Sequence, residues 1–467
     1  MFNVLETRSA SASDAQDELS GETHGLVTRF LLQPSPESLE FPTVYFLDYQ
    51  AFKRSGQPIS KVTFKVVPYV TASIGDPQTV AVEYFRKVHW WMPIISNKRL
   101  FDSMLNPLTE PDSELPLLLL AMKVILWNPS KQQSKDPKIE TYLIAKRMID
   151  EAVTAGLLSL QLLQAQVLLA VFGLGHAIYP AAYLSVGACA RYGIALGVDI
   201  SLRPDFQAQH PSINVLQIEE RRRTWWAILI LDRFLQLGNP RRPLSTEDPK
   251  PESLLPSDDE AFDQGNISGP SFPVSAAANV KMGALARMSQ ASYLLSHVYR
   301  YNHFRSETKS ISDQQQEYWQ LDNTIRSLLN LSYVEGELRR MAVCGQTSIC
   351  YSALIALHDP DSFRTDPQHL QFAVDLLKPL ADAMSWDSAI FLSGTLVSVN
   401  DASPLLLFWA YEAGTIYNRL MPHYERDTLE LLYQMKEKLR IMSHRWQAGN
   451  AYLEILNSNE TRMHWSS

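Results

Sequence analysis

EERRRTWWAILILDR, Glu219 to Arg233, runs on into NPRRPLSTEDPKPESLLPSDDE, Asn239 to Glu260. The first of these segments decides the fold class. Glu219 and Arg223 stand four residues apart with the acid first, the orientation in which an ion pair forms along one helical face. Trp225, Ile228, Leu229 and Leu235 recur at helical spacing, with no Pro or Gly before Gly238. The spacing predicts a helix ending near Gly238, from which Pro240, Pro243, Pro249 and Pro251 force an extended exit. Neighbouring residues on a helix diverge by roughly 100°, so Trp225 and Trp226 cannot form one flat platform, and at least one is expected in the core. Arg222 and Arg223 are then expected as a solvated or salt-bridged row beside it. Asp232 next to Arg233 in an apolar helix suggests a buried polar contact that closes the loop containing Arg242.

The same helical period extends outward in both directions. Asp76-Pro77 reads as a cap followed by Pro at the first helical position, with Ala81, Tyr84, Phe85 and Val88 as the apolar stripe behind it. Helices are predicted over roughly 115–127, 139–155, 160–174, 181–196 and 215–237, then a Pro- and Ser-rich loop to Pro273, then helices over 276–304, 312–331, 335–357, 367–384, 404–420 and 426–456. In the last, Leu429, Leu432, Met435, Leu439, Met442 and Trp446 form one narrow seam, suited to packing within the chain or to a dimer contact. Residues 1–40 read as a disordered tail, 41–76 as a short extended segment in which VYFLDY and VTFKVVPYV look strand-like, and 77–467 as one regulatory body. The fold class is all-α and multi-helical, with an α-solenoid-like arrangement left open.

Composition narrows the function. The chain has 467 residues, 46% hydrophobic and 20% charged, with a formal net charge of -8. No global field draws it to nucleic acid, and its basic clusters are short. Three cysteines, Cys189, Cys344 and Cys350, form no Cys-x-x-Cys pair and cannot supply a six-thiolate cluster for two zinc ions. No basic start followed by an apolar run marks a secretory signal, and the apolar stretch 157–178 is interrupted by Gln161, Gln164, Gln166 and His176, as suits a buried helix. There is no His-Glu-x-x-His motif, phosphate loop or nucleophile elbow, so no catalytic residue is assigned. Asp258, Asp259 and Asp263 in DDEAFD invite comparison with the paired aspartates that bind magnesium in isoprenoid cyclases, although a solvated acidic loop is the expectation.

The Arg cluster, Trp225-Trp226, Leu231-Asp232-Arg233, Arg242-Pro243-Leu244 and Leu255-Pro256 together resemble the regulatory domain, or middle homology region, of fungal binuclear zinc cluster transcription factors. ALGVD at Ala195 to Asp199, EYFRKVHWWMPIIS at Glu83 to Ser96 and SHRWQAGNAYLEIL at Ser443 to Leu456 look like further segments of it, although Arg241 stands where that family has Gly. The resemblance implies a nuclear regulator of a metabolic or secondary-metabolite gene set, acting by partner association or effector sensing. Arg222, Arg223, Trp225, Trp226, Asp232, Arg233, Arg242 and Pro243 are the family-motif positions, structural or regulatory in role. No cofactor is expected in this chain, the family's zinc cluster being absent from it. The implied partners are the transcriptional machinery or a zinc cluster protein in a homo- or heterodimer, and a small-molecule effector. DNA would be reached indirectly or through an N-terminal domain missing from this sequence, and no membrane is involved. The alternatives are an all-helical isoprenoid-type enzyme using the three aspartates, or an interaction scaffold outside transcription.

Overall fold

The computed structural model describes residues 41–56, 62, 64–105, 114–131, 135–267, 269–277, 280–304, 310–339, 344–359, 367–392, 398–420 and 425–465. The predicted disordered tail lies outside these. Among the described residues the regular structure is helical, with a single isolated bridge between Leu254 and Pro273, so the all-α reading holds.

The chain divides into two units, and the smaller comprises residues up to Thr63 with 155–157. Here the expected strand-like segment is helical: α1 spans Thr43–Leu47 and α2 spans Tyr49–Ser55. Local chemistry overrides the β-branched and aromatic composition. Asp48 caps α2 by accepting from the Ala51 amide at 2.9 Å, and Gly56 ends it with φ of 66°. Asp48 itself is extended and separates the two helices, and the Tyr45 and Tyr49 rings meet edge to face at 5.6 Å across that break.

The larger unit takes the remainder. It begins with Phe64–Val67 in irregular conformation, and then Pro68 opens α3, Pro68–Ile74, where strand had been expected. α4, Pro77–Lys87, starts at the predicted cap: Asp76 accepts from the Thr79 amide at 2.9 Å. α5, Asn97–Leu105, was not anticipated. α6, Glu114–Ile125, α7, Glu140–Thr154, α8, Leu160–Gly175, and α9, Ala181–Ala195, match the sequence pattern closely. α8 packs between α6 and α9 and is buried from Leu162 to Ala165 and again from Val167 to Gly175, which explains the long apolar run. None of the described helices is long and apolar enough to cross a membrane.

After the single turn α10, Phe206–Gln209, comes α11, Val215–Leu237, with the predicted bounds. It packs on α8 and α9 and also on α13, Ala284–Phe304, which follows the short α12, Asp259–Asp263. The predicted start of α13 at 276 is corrected to Ala284. The rest is α14, Ile311–Arg339, α15, Cys344–His358, α16, Pro367–Leu392, and α17, Leu406–Leu420, the last touching α15, α16 and both helices that follow it.

The predicted single helix over 426–456 is two: α18, Glu425–Ser443, and α19, Ala448–Trp465. Three contacts break it. The Trp446 indole packs so tightly on Gly175 that a Cβ there would lie 2.3 Å from the ring. The Arg445 guanidinium donates to the carbonyls of Ile125 at 2.6 Å and Trp127 at 2.9 Å, at the end of α6. Gly449 lets the chain fold back on α18 where a side chain has no room, since a Cβ there would lie 2.8 Å from the Leu439 carbonyl oxygen. The seam from Leu432 to Trp446 is core of this same chain, whereas Leu429 stands 55% exposed.

Candidate functional site

α11 is the element on which the named motif residues sit, and its start is set by a capping box. Asn214 accepts from the Leu216 amide at 2.8 Å, while the Gln217 side chain accepts from the Asn214 amide at 3.4 Å. The helix therefore enters the body in a fixed register, with Glu219, Glu220, Arg222 and Arg223 all buried.

Arg223 has no exposed surface. Its Nε donates to Glu219 at 2.8 Å, one Nη donates to Asp259 at 2.8 Å and to the Pro93 carbonyl at 3.2 Å, and the other donates to the Ser257 carbonyl at 2.8 Å. The guanidinium lies 3.9 Å above the centroid of the Phe262 ring, so one cation clamps α11, the 93–96 turn and α12 together. Burial by itself opposes its charge, but Asp259 and Glu219 outweigh this and hold Arg223 above the ordinary arginine range. Glu219 also accepts from Arg222 at 2.9 Å and from the Ser257 amide at 2.7 Å. Its neighbour Glu220 accepts from the Ser96 amide at 2.8 Å and pairs with Arg99. The predicted Glu219–Arg223 pair is present, and of the two expectations for the Arg row the salt-bridged one holds, Arg222 and Arg223 both being buried against Glu219.

At the other end of α11, Asp232 accepts from the amides of Ser245 at 3.0 Å and Thr246 at 2.9 Å and from the Thr246 hydroxyl at 2.7 Å. Arg233 donates to Ser296 at 2.9 Å, the Glu247 carbonyl at 3.0 Å and Asp248 at 2.9 Å, and also to the Thr246 hydroxyl. Burial lowers the Arg233 pKa against the pull of Asp232 and Asp248. The loop after α11 is thus closed as expected, with Gln236 adding a bond to the Arg242 carbonyl at 2.8 Å. Arg242 and Pro243 themselves are exposed, Arg242 lying 5.2 Å over the Tyr183 ring. Arg241 adopts an ordinary φ, since Ala177 alone among the described non-glycine residues has a positive one, so this turn needs no glycine.

Both indoles are core. Trp226 donates to the Leu254 carbonyl at 2.9 Å, while Trp225 rests against Gly193, where an added Cβ would meet the ring at 2.8 Å. Neither ring is a stacking platform for bases.

The acidic stretch is not a solvated loop. Asp258 caps α12 by accepting from the Glu260 amide at 3.1 Å, Asp259 holds Arg223, and Asp263 lies 2.7 Å from the His89 ring. Each carboxylate answers to a protein group, whereas magnesium bridging needs them turned together into an apolar cavity. The Ser257-Asp258 step ahead of Asp259 is a cap signature that marks this helix in the sequence. The sequence offered no comparable signal for Phe262, Thr246, Asp248 or Arg99, whose roles depend on contacts across the fold.

Cys189 lies in α9 and Cys350 in α15, both buried, and burial pushes the Cys189 thiol up to about 12 and raises Cys350 as well. Among the described residues no three His, Cys, Asp or Glu side chains are grouped to hold a metal ion.

The sequence from α4 to α14 matches a known family. Residues 82–334, more than half of the chain, match the fungal specific transcription factor domain. The chain is 37% identical over 157 residues to transcription factor BOA15 of Botryotinia fuckeliana (strain B05.10), covering 33% of this chain and 85% of that protein. It is 28% identical over 182 residues to transcription factor tazR of Aspergillus terreus (strain NIH 2624 / FGSC A1156), covering 38% of this chain and 28% of that protein. No solved structure matches it. The family match and the BOA15 match together show that this chain belongs to the family of the fungal specific transcription factor domain and is a transcription regulator.

Proposed function

We propose that the chain works in the nucleus as a regulatory body, acting by partner association and effector sensing rather than by chemistry of its own or by base contact through α11. The observation that carries this reading is the direction of the motif. Arg222, Arg223 and Arg233 are consumed by carboxylates, carbonyls and hydroxyls inside the fold, and Trp225 and Trp226 lie in its core. A phosphate-binding surface needs free cations, and the formal charge of -8 supplies no compensating field. The three carboxylates on which an isoprenoid-type enzyme would rely are engaged by a helix N-terminus, Arg223 and His89, which favours the non-catalytic reading. The partner is a zinc cluster protein or a component of the transcriptional machinery, since the three cysteines of this sequence cannot by themselves supply six thiolates. The genes controlled belong to a metabolic or secondary-metabolite set, in keeping with the family resemblance.

The test tethers the chain to a heterologous DNA-binding domain upstream of a reporter, with the purified chain alone applied to labelled duplex DNA in parallel. A change in reporter output with no sequence-specific shift of the duplex is expected. Specific binding to the duplex by this chain alone, or an unchanged reporter, refutes the reading.

A further inference from the structure

The loop that follows α11 is held on its inner side and open on its outer side. Inside, the Ser245 amide donates to both Asp232 oxygens, at 3.0 and 3.2 Å, and the Thr246 amide and hydroxyl donate to the same carboxylate. Arg233 lies 3.5 Å from Asp232 and is shared with Asp248 at 2.9 Å. Outside, Arg241, Arg242, Pro243 and Ser245 are exposed, whereas Thr246 is buried. Arg222, Arg223 and Arg233 each pair with a carboxylate, but among the described residues Arg241 and Arg242 pair with none. The Ser245 hydroxyl likewise makes no hydrogen bond among them, and it has room: Gly187 of α9 faces it without a side chain, and even an added Cβ there would stand 3.4 Å away.

We propose that Ser245 is a phosphorylation site for an arginine-directed protein kinase, and that the phosphoryl group releases the loop from Asp232. Arg242 stands three residues and Arg241 four residues before the hydroxyl, in Arg-Arg-Pro-Leu-Ser. Acidic groups of a kinase bind such guanidiniums through charge-assisted, forked hydrogen bonds, and Pro243 holds the residue before it in the extended conformation that a substrate cleft takes. Thr246 is no substitute, because its hydroxyl is buried against Asp232. In the reaction the Ser245 Oγ attacks the γ-phosphorus of a nucleoside triphosphate bound to the kinase. The new O–P bond forms as the bond to the nucleoside diphosphate breaks, and the hydroxyl proton passes to the kinase's base. The phosphoryl group carries a charge of about −1.5 to −2 at neutral pH. Asp232 and Asp248 already share Arg233, so that cation is not spare for it, while the uncommitted Arg241 and Arg242 lie on the outer side. Repulsion by Asp232 and attraction to the two arginines act in one direction, drawing Ser245 outward and its amide off the carboxylate. The end of α11 then loses the contact that closes its loop, whichever partner the chain engages.

The experiment incubates the purified full chain with ATP, magnesium and either the cyclic-AMP-dependent or the calmodulin-dependent protein kinase, maps phosphate by mass spectrometry, and follows hydrogen exchange across residues 244–249. The expected result is phosphate on Ser245 from at least one kinase, phosphorylation slowed about tenfold in Arg242→Met, and exchange of the Ser245 and Thr246 amides about tenfold faster in the phosphorylated chain. Ser245→Ala, which removes only an unpartnered hydroxyl, is expected to keep its slow exchange at position 246 after the same treatment. No phosphate on Ser245 from either kinase, phosphate on Thr246 in its place, an undiminished rate in Arg242→Met, or phosphate on Ser245 with the two amides exchanging as before overturns the proposal. The decisive comparison is made on the native chain, before and after the kinase, so it stands whatever the variants do. The reporter test above is separate: a responsive reporter with no phosphate on Ser245 removes this site and leaves the regulator reading in place.

Discussion

Replacing Arg223 by methionine keeps its length and strands what it holds. Glu219 and Asp259 lose their shared cation, and the carbonyls of Pro93 and Ser257 lose a donor. Breaking a buried ion pair from one side costs about 3–5 kcal/mol, mainly because the remaining charge stays buried without its partner. Arg223→Met is therefore expected to lower the urea midpoint by that equivalent, whereas Arg242→Met, on the surface, leaves it nearly unchanged; equal effects of the two would contradict the clamp. At this scale the sequence was legible wherever a pairing is local. The Glu219–Arg223 pair follows from their spacing, and the link from Asp232 and Arg233 to the following loop follows from charges in an apolar helix. Arg223 to Asp259 is not legible, because the two stand 36 positions apart and the chain between them folds back through a proline-rich path whose course no local rule specifies.

Some glycines in these helices have no room for a side chain and others do, and one of each predicts opposite outcomes. Gly175 ends α8 against Trp446, where a Cβ would lie 2.3 Å from the ring. Gly187, within α9, would bring a Cβ no nearer than 3.4 Å to the Ser245 hydroxyl. Gly175→Ala is expected to destabilise by about 1–3 kcal/mol through overpacking. Gly187→Ala is expected to stabilise by about 0.5–1 kcal/mol through reduced freedom of the unfolded chain and better helix propensity. Thermal melts of the two variants check the difference in sign. Helix periodicity carried most elements, and α11 has the predicted bounds because a capping box and Gly238 punctuate it. It failed where tertiary contact decides: the break between α18 and α19 arises from Arg445 and Trp446 reaching α6 and α8, and the run 426–456 contains no proline to announce it. Around Tyr45 it fails for a different reason: aromatic and β-branched composition favours a strand there, and the cap at Asp48 outweighs it.

Buried ionisable groups give the whole molecule a shaped dependence on pH. Glu412 titrates at about 8 in the fold against an ordinary 4.5, so the folded state binds the extra proton and its contribution declines as pH rises between those values. The slope is at most about 1.4 kcal/mol per pH unit, reduced by its partial exposure. His176, enclosed by Trp127, Phe172 and Trp446, is lowered by burial and by Arg445, so its contribution is lost as pH falls below the ordinary 6.5. Lys438 is lowered to about 8 by burial, so its contribution returns as pH rises from about 8 towards 10.5. Between pH 6.5 and 8 the fall due to Glu412 stands by itself among these three. Urea midpoints of the native chain are expected to decline across that window, and those of Glu412→Gln to decline less; parallel declines would remove Glu412 as the cause. Arg445 carries a consequence of another kind. It terminates α6 from 320 residues further along the chain, so during synthesis that early helix leaves the ribosome with its last carbonyls unmet and waits for nearly the whole polypeptide. A premature stop codon anywhere before position 445 is thus not the loss of a tail: it withdraws the closing piece from one of the first elements made.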